Sequence, residues 1–91
     1  MADLQNGESE LIHTFMEPFR DVDGTQYEVR VFGRERADGT WIAWLQFTDS
    51  LGLVLRTDRE TTQSSSEQVK YWAAGLEQAY LEGALDRAKR S

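Results

Sequence analysis

The sequence predicts an α+β domain, a three- to four-stranded antiparallel β-meander with one long C-terminal α-helix packed on one face. Two patterns lead to this prediction. Residues 25–34 (TQYEVRVFGR) and 40–48 (TWIAWLQFT) alternate apolar and polar side chains, as strands with one buried face do. Residues 64–90 repeat apolar side chains at steps of three and four, which is typical of a helix with one apolar stripe.

The length and composition indicate one small domain. A chain of 91 residues buries about 60 to 65% of its unfolded surface, which is enough for a small core. Residues 1–10 are polar and contain an Asn-Gly pair, so we expect a disordered arm there and a single domain over residues 11–91. Because the chain has no cysteine, disulfides, thiolate metal sites and cysteine nucleophiles are excluded.

The net charge of −6 narrows the class of partner. Seven acidic residues lie within residues 1–28, where Arg20 is the only basic residue. An acidic protein repels phosphate backbones at long range, so nucleic acid is not predicted as a partner. No apolar run reaches the length of a membrane span and the first residues do not form a signal peptide, so we expect a cytoplasmic protein that binds no membrane.

Shorter elements flank the two main strands. Residues 11–16 (LIHTFM) predict a first strand, which ends at Pro18, and residues 21–24 (DVDG) predict a turn. The DVDG motif is similar to the start of a calcium loop, but in that register the glutamate position falls on Arg30, so no calcium site is predicted. A further turn at residues 49–52 (DSLG) precedes a last predicted strand at residues 53–57.

The loop between the two main strands follows from side-chain parity, because residues paired across an antiparallel ladder point to the same face. A two-residue turn at Asp38 and Gly39 would mix polar and apolar residues on both faces. A three-residue loop, residues 37–39, with Gly39 in the left-handed conformation, pairs apolar residues with one another. The predicted pairs are Val31 with Leu45, Val29 with Phe47, and Gly33 with Ala43.

This register gives the sheet two different faces. The face predicted to receive the helix holds Tyr27, Val29, Val31, Trp41, Ala43, Leu45 and Phe47. The opposite face holds three large apolar side chains among polar ones, and its predicted interaction residues are Phe32, Ile42, Trp44, Arg30 and Arg34. Two alternatives remain for this second face: the N-terminal segment 11–19 covers it, or it is left for a partner.

The predicted helix begins with a capping box, in which the side chains of Ser64 and Glu67 each accept a backbone N–H from the other residue. Gly75 lies inside the helix, where glycine costs about 1 kcal/mol relative to alanine. Leu81 and Leu85 lie off the main apolar stripe and are predicted to make a second contact.

A second candidate site is polar and consists of Asp58, Arg59 and Glu60, between the last predicted strand and the helix. Two neighbouring carboxylates divide acid and base roles only if burial separates their pKa values. The simpler interpretation is a polar connection with local ion pairs. His13 is the only histidine and no phosphate-binding glycine motif is present, so we predict no metal, no cofactor and no catalytic residue.

The segments DGTWIAWLQF, TDRETTQ and YWAAGLEQAYLEGAL resemble a small bacterial family of proteins of unknown function, over nearly the whole chain after Glu10. This resemblance implies a fold and no activity. The motif WIAWL at residues 41–45, followed by an acidic residue, a threonine and a helix, is similar to HicB-type antitoxins, although the DNA-binding extension of that family is missing. Double-stranded-RNA-binding domains share the order of elements but need several lysines at the helix start, where this chain has only Lys70.

The sequence therefore predicts a small acidic bacterial protein that acts as a non-catalytic protein–protein interaction module through the second face, with homodimerisation as one form of that interaction. The alternative is a small-ligand-binding protein or acid–base enzyme that uses the polar site at residues 58–60, with His13 as a further candidate group. An RNA-binding domain is a further alternative, disfavoured by the acidic charge.

Overall fold

A computed structural model describes residues 8–90 as one antiparallel sheet with two helices. The elements are β1 (Glu10–Thr14), β2 (Phe19–Arg20), β3 (Gln26–Glu35), β4 (Trp41–Asp49), β5 (Val54–Arg56), β6 (Thr61–Gln63), α1 (Ser66–Ala74), α2 (Gln78–Arg87) and β7 (Lys89–Arg90). The strand order is β1-β3-β4-β5-β7, with β2 beside β3 and β6 beside β4. Residues 1–7 of the predicted disordered arm lie outside the described residues.

The predicted meander of three to four strands with one long C-terminal helix is wrong, since within residues 8–90 the structure has a seven-stranded sheet and two short helices. Two outer strands are interrupted. On one side of the sheet β1 and β2 both pair with β3 and are separated by residues 15–18, which include Pro18. On the other side β5 and β6 both pair with β4 and are separated by residues 57–60.

The single predicted helix is divided at Gly75, which ends α1. The N-cap is Ser65, whose hydroxyl accepts the Gln68 N–H at 3.2 Å, so the predicted capping box of Ser64 with Glu67 is wrong. As the terminal residue Gly75 carries less of the cost that it would have inside a helix, and Leu76 beyond it packs against the core.

The division shifts the apolar stripe. A continuous helix that buries Val69 and Ala73 would turn Tyr80 and Gly83 toward the sheet. In the structure α2 instead buries Leu81, Ala84 and Leu85, which join the main core. The second contact predicted for the two leucines is therefore wrong. After α2 the chain pairs with β5 as the short strand β7, instead of continuing as a helix.

The central hairpin has the predicted register, which is confirmed by the pairs Val29–Phe47, Val31–Leu45 and Gly33–Ala43. The predicted three-residue loop is confirmed as well: the Arg36 N–H donates to the Thr40 carbonyl at 2.7 Å, and Gly39 has a φ of +88°. The same loop recurs at residues 22–24 and 50–52, where turns are also predicted, and each again ends in a glycine with positive φ.

The core lies between the helices and one face of the sheet. The sheet contributes Phe19, Val29, Val31, Ala43, Leu45 and Phe47, and the helices contribute Val69, Ala73, Leu81, Ala84 and Leu85. Phe19, Tyr27 and Phe47 meet in edge-to-face contacts, with ring centroids 6.0 to 6.1 Å apart. Both helices pack on one face of the sheet, and neither of them covers the other face.

Thr57 continues the hydrogen bonding to β4 at the point where strand β5 ends. Its hydroxyl accepts the Leu45 N–H at 3.0 Å, and its own N–H donates to the Leu45 carbonyl at 3.0 Å. The side chain thus supplies an acceptor that a regular strand would supply from its backbone. Thr57 is 1% exposed and is the most buried polar residue among residues 8–90.

We expect the substitution Thr57→Val to lower the free energy of unfolding by about 1 to 3 kcal/mol, because it leaves the Leu45 N–H buried without an acceptor while keeping the side-chain volume. Urea denaturation followed by circular dichroism measures this. The control Thr57→Ser keeps the hydroxyl and loses one methyl group, so it should cost about 1 kcal/mol. A valine variant as stable as the unchanged protein would contradict this role of the hydroxyl.

Candidate binding surface

The sheet face opposite the helices, called the open face below, carries the predicted interaction residues. The register places Phe32 opposite Trp44, Arg34 opposite Ile42, and Arg30 opposite Gln46, all pointing away from the core side. The outer strands extend this face with Leu11, Thr14, Arg20, Val54, Arg56, Thr62 and Lys89. Its large apolar residues, Phe32, Ile42 and Trp44, do not belong to the core cluster formed within residues 8–90.

The N-terminal segment extends the open face and does not cover it. Strand β1 pairs with β3 at the edge of the sheet, where Leu11 stands beside Phe32. Leu11 is 53% exposed, and Phe32 and Ile42 are partly exposed. Phe19, further along the same segment, points to the other side and is buried in the core. Of the two alternatives for this face, cover by residues 11–19 is therefore excluded.

Trp44 is only 4% exposed although it lies on the open face. The guanidinium carbon of Arg56, on the neighbouring strand β5, lies 4.4 Å from the centroid of its ring. A guanidinium over an aromatic face is attracted by the ring quadrupole and shields the ring from water. Trp44 is thus a buried residue beneath the surface of the open face. The exposed surface above it includes Arg56, which the sequence analysis did not select.

The two predicted arginines of this face differ in their surroundings. Arg30 donates to Glu28 over 2.9 Å, in an exposed ion pair of the kind that contributes about 0 to 1 kcal/mol. Arg34 is half-buried beside Ile42, and neither ion pair found within residues 8–90 includes it. Among residues 8–90, no carboxylate is thus paired with the Arg34 guanidinium.

A cleft opens at one end of the open face, beside the interruption between β1 and β2. It has a volume of about 410 Å³ and is lined by Thr14, Phe15, Met16, Pro18, Glu28 and Arg30. Met16 is 97% exposed and Phe15 packs against the core, so the cleft combines apolar walls with the charged Arg30–Glu28 pair. Such a cleft suits one apolar side chain of a partner.

The three residues of the alternative polar site have different surroundings in the structure. Asp58 and Arg59 are exposed in the segment that bulges away from β4. The side chain of Glu60 is 7% exposed and is bound to α2. No catalytic pairing of Asp58 with Glu60 is among the contacts of the described residues, and the other candidate, His13, makes an edge-to-face contact with Phe15, at a centroid distance of 4.8 Å.

Glu60 instead holds α2 to the sheet through two residues that the sequence analysis did not select. The Tyr80 hydroxyl donates to its Oε1 at 2.6 Å, and Arg87 Nη2 donates to the same oxygen at 2.6 Å. Burial, together with the hydrogen bond to Glu60, raises the pKa of Tyr80 to about 12, and the bond to Glu60 raises the pKa of Arg87. Because two donors occupy the Glu60 carboxylate, we interpret this cluster as a structural connection between α2 and the sheet.

Residues 8–90 contain neither a cluster of metal ligands nor a membrane-crossing helix. No group of three or more His, Asp or Glu side chains is arranged to hold a metal ion there. Neither α1 nor α2 has the length and apolar character that a membrane-crossing helix requires.

Comparisons with protein-family models, with curated proteins and with solved structures found no match for this chain. The resemblances to a bacterial family and to HicB-type antitoxins are supported by none of these comparisons. Function is therefore inferred from the chemistry of the open face.

The Glu60 cluster should make stability fall in alkaline solution. The pKa of Tyr80 is raised from 10.0 to about 12, so its contribution is complete below pH 10 and is lost as the pH rises toward 12, where tyrosinate would face the Glu60 carboxylate. We expect the free energy of unfolding to fall less over this range in Tyr80→Phe than in the unchanged protein, as measured by urea denaturation at each pH.

The matched control is Tyr71→Phe, because Tyr71 is 80% exposed on α1. Its alkaline loss of stability should equal that of the unchanged protein. If Tyr80→Phe and Tyr71→Phe showed the same pH dependence, the Tyr80–Glu60 bond would have no part in the effect.

Proposed function

We propose that the protein is a non-catalytic interaction module that binds another protein through the open face. The observation that carries this proposal is the position of Phe32 and Ile42: both are partly exposed, both lie on the face away from the two helices, and neither belongs to the core. Partly exposed apolar groups gathered on one face and surrounded by polar side chains are typical of a protein-binding surface.

The arrangement of polar residues supports binding over catalysis. The arginines and glutamine of the open face stand around its apolar centre, as the polar rim of an interface does. The acid–base alternative requires two carboxylates in different surroundings within one accessible site. Glu60 is instead covered and bound by Tyr80 and Arg87, while Asp58 is exposed elsewhere in the bulge.

Trp44 is an unsuitable residue for testing the surface, because it is nearly fully buried beneath Arg56. Truncation of a buried tryptophan to alanine costs about 3 to 5 kcal/mol, so loss of binding in such a variant would also follow from unfolding. Phe32 and Ile42 are the better test residues. Threonine is itself β-branched and suits a strand, and at either position it removes most of the apolar surface.

We expect the double substitution Phe32→Thr and Ile42→Thr to abolish capture of the partner from an extract of the source organism. The loss follows because the substitution removes the apolar centre of the interface. Quantitative mass spectrometry compares the proteins retained by the unchanged chain and by the variant. Thermal unfolding of the variant shows that the comparison is made on folded protein.

The control is Tyr71→Ser, which removes an equally large and more exposed apolar residue on the helical side. It should capture the same proteins as the unchanged chain. Light scattering over a concentration series tests homodimerisation separately: a dimer that the double variant loses would identify the partner as a second copy. Identical capture and identical solution mass for all three proteins would remove the open face as the binding surface.

A further inference from the structure

We propose that the partner of the open face is an acidic protein segment, whose carboxylates pair with Arg34, Arg56 and Lys89 while its apolar side chains cover Phe32 and Ile42. This inference rests on the proposed function and adds the chemistry of the partner. It follows from the distribution of charge over the sheet.

The open face is cationic although the chain is acidic. The strand residues that share this face include five basic side chains and one carboxylate: Arg20, Arg30, Arg34, Arg56 and Lys89, with Glu28. The net charge of the whole chain is −6, so the remaining surface is more acidic than that figure indicates. Glu28 is already paired with Arg30, which leaves the other cations of the face to set its potential.

The position of Arg56 prepares it for a carboxylate. Its guanidinium is held over the Trp44 ring at 4.4 Å, while the residue as a whole stays exposed. A stacked guanidinium keeps its N–H donors at its edge, where they form the fork that a carboxylate accepts. Because the ring restrains the side chain beforehand, less rotamer entropy is lost when a partner binds.

Apolar contacts are available beside these charges. Phe32 lies next to Leu11 across the β1–β3 pair, and Ile42 lies opposite Arg34. The cleft of about 410 Å³ beside Pro18 offers room for one further apolar side chain. A segment that alternates acidic and apolar residues would satisfy both features, since it could place carboxylates on the arginines and apolar groups between them.

A second copy of this chain fits the face poorly. In a two-fold symmetric dimer the same patch meets itself, so the arginines of one copy would approach those of the other. Like charges brought together at an interface oppose association. Such a dimer would need compensating carboxylates on the face, and Glu28 is the one that the described strands place there.

Single-stranded nucleic acid also fits less well, although it is anionic. Sheet surfaces that bind it expose aromatic rings on which bases stack. Here Trp44 is 4% exposed and Arg56 lies over its ring, so the largest aromatic group is not open for stacking. The acidic remainder of the chain would in addition repel a long phosphate backbone.

The test uses the full chain and three probes, with binding followed by fluorescence anisotropy: a labelled peptide of alternating Glu and Leu, the same peptide with Gln in place of Glu, and an oligothymidylate. We expect the acidic peptide to bind more tightly than the neutral peptide and to weaken as salt is added. Arg34→Gln should weaken its binding about tenfold, because a charge-assisted hydrogen bond is lost.

The matched control is Lys70→Gln, which makes the same change in net charge from an exposed position on α1 and should leave the affinity unchanged. Arg56→Gln should also weaken binding. Loss of the Arg56 side chain exposes Trp44 and could lower stability. Binding is therefore also measured for the single variants Arg34→Gln and Lys89→Gln, so that a stability defect in one variant does not decide the result.

Three outcomes overturn the acidic partner. The acidic peptide binds no better than the neutral one, or the oligothymidylate binds most tightly, or Arg34→Gln and Lys70→Gln weaken binding equally. If Phe32→Thr with Ile42→Thr still abolishes capture of the cellular partner in any of these cases, the interaction module stands and only the chemistry of its partner is wrong. If that variant changes neither capture nor peptide binding, the proposed function itself fails.

Discussion

The register of the hairpin formed by β3 and β4 decides which residues become core and which become surface. Both strands lie in the middle of the sheet, so every neighbouring strand takes its register from them. A slip of one residue would pair Val31 with Gln46 in place of Leu45 and would mix polar and apolar side chains on both faces of the sheet. The loop that ends in Gly39 prevents this slip, because three residues with a left-handed glycine allow one alignment of the strands.

The interruptions of the outer strands follow from the length of the central pair. Strands β3 and β4 have ten and nine residues, and the chain covers each of their outer edges with two short segments. Pro18 stands at one interruption, since it has no N–H for the ladder. At the other, Thr57 supplies an acceptor with its hydroxyl, and the bulge after it turns Glu60 toward Tyr80 and Arg87 on α2. The irregular edge thereby connects the sheet to the helix.

Sequence alone predicts the central hairpin because parity is a local property: the alternation in residues 25–34 and 40–48 allows only one loop length that keeps the faces distinct. The prediction of one long helix is wrong because the apolar periodicity of the sequence continues across Gly75, whereas the structure changes the helical phase there. Leu81 and Leu85, off the expected stripe, were the signal of a change in phase. Strand β7 gave no signal, since Lys89 and Arg90 match a basic helix end and become a strand only by pairing with β5.

For the candidate surface, too, the sequence predicts what the central hairpin determines and not what the outer strands add. Phe32, Ile42 and Trp44 share a face because of the hairpin alone, so the sequence places them together. Arg56 and Leu11 join them only once the outer strands pair, and sequence pattern does not give that register for such short or irregular segments. The burial of Trp44 was missed for this reason, because the group that covers it comes from β5.

The charge of the chain shows why composition alone misdirects the choice of partner. A net charge of −6 describes repulsion of anions at long range, but at physiological salt charges farther apart than about 8 Å are largely screened. What a docked partner meets is the local arrangement. Here the strand pairing collects Arg34, Arg56 and Lys89 on the face where Phe32 and Ile42 are also accessible. An acidic chain can therefore carry a surface that selects an acidic partner, provided that partner approaches the sheet and not the helices.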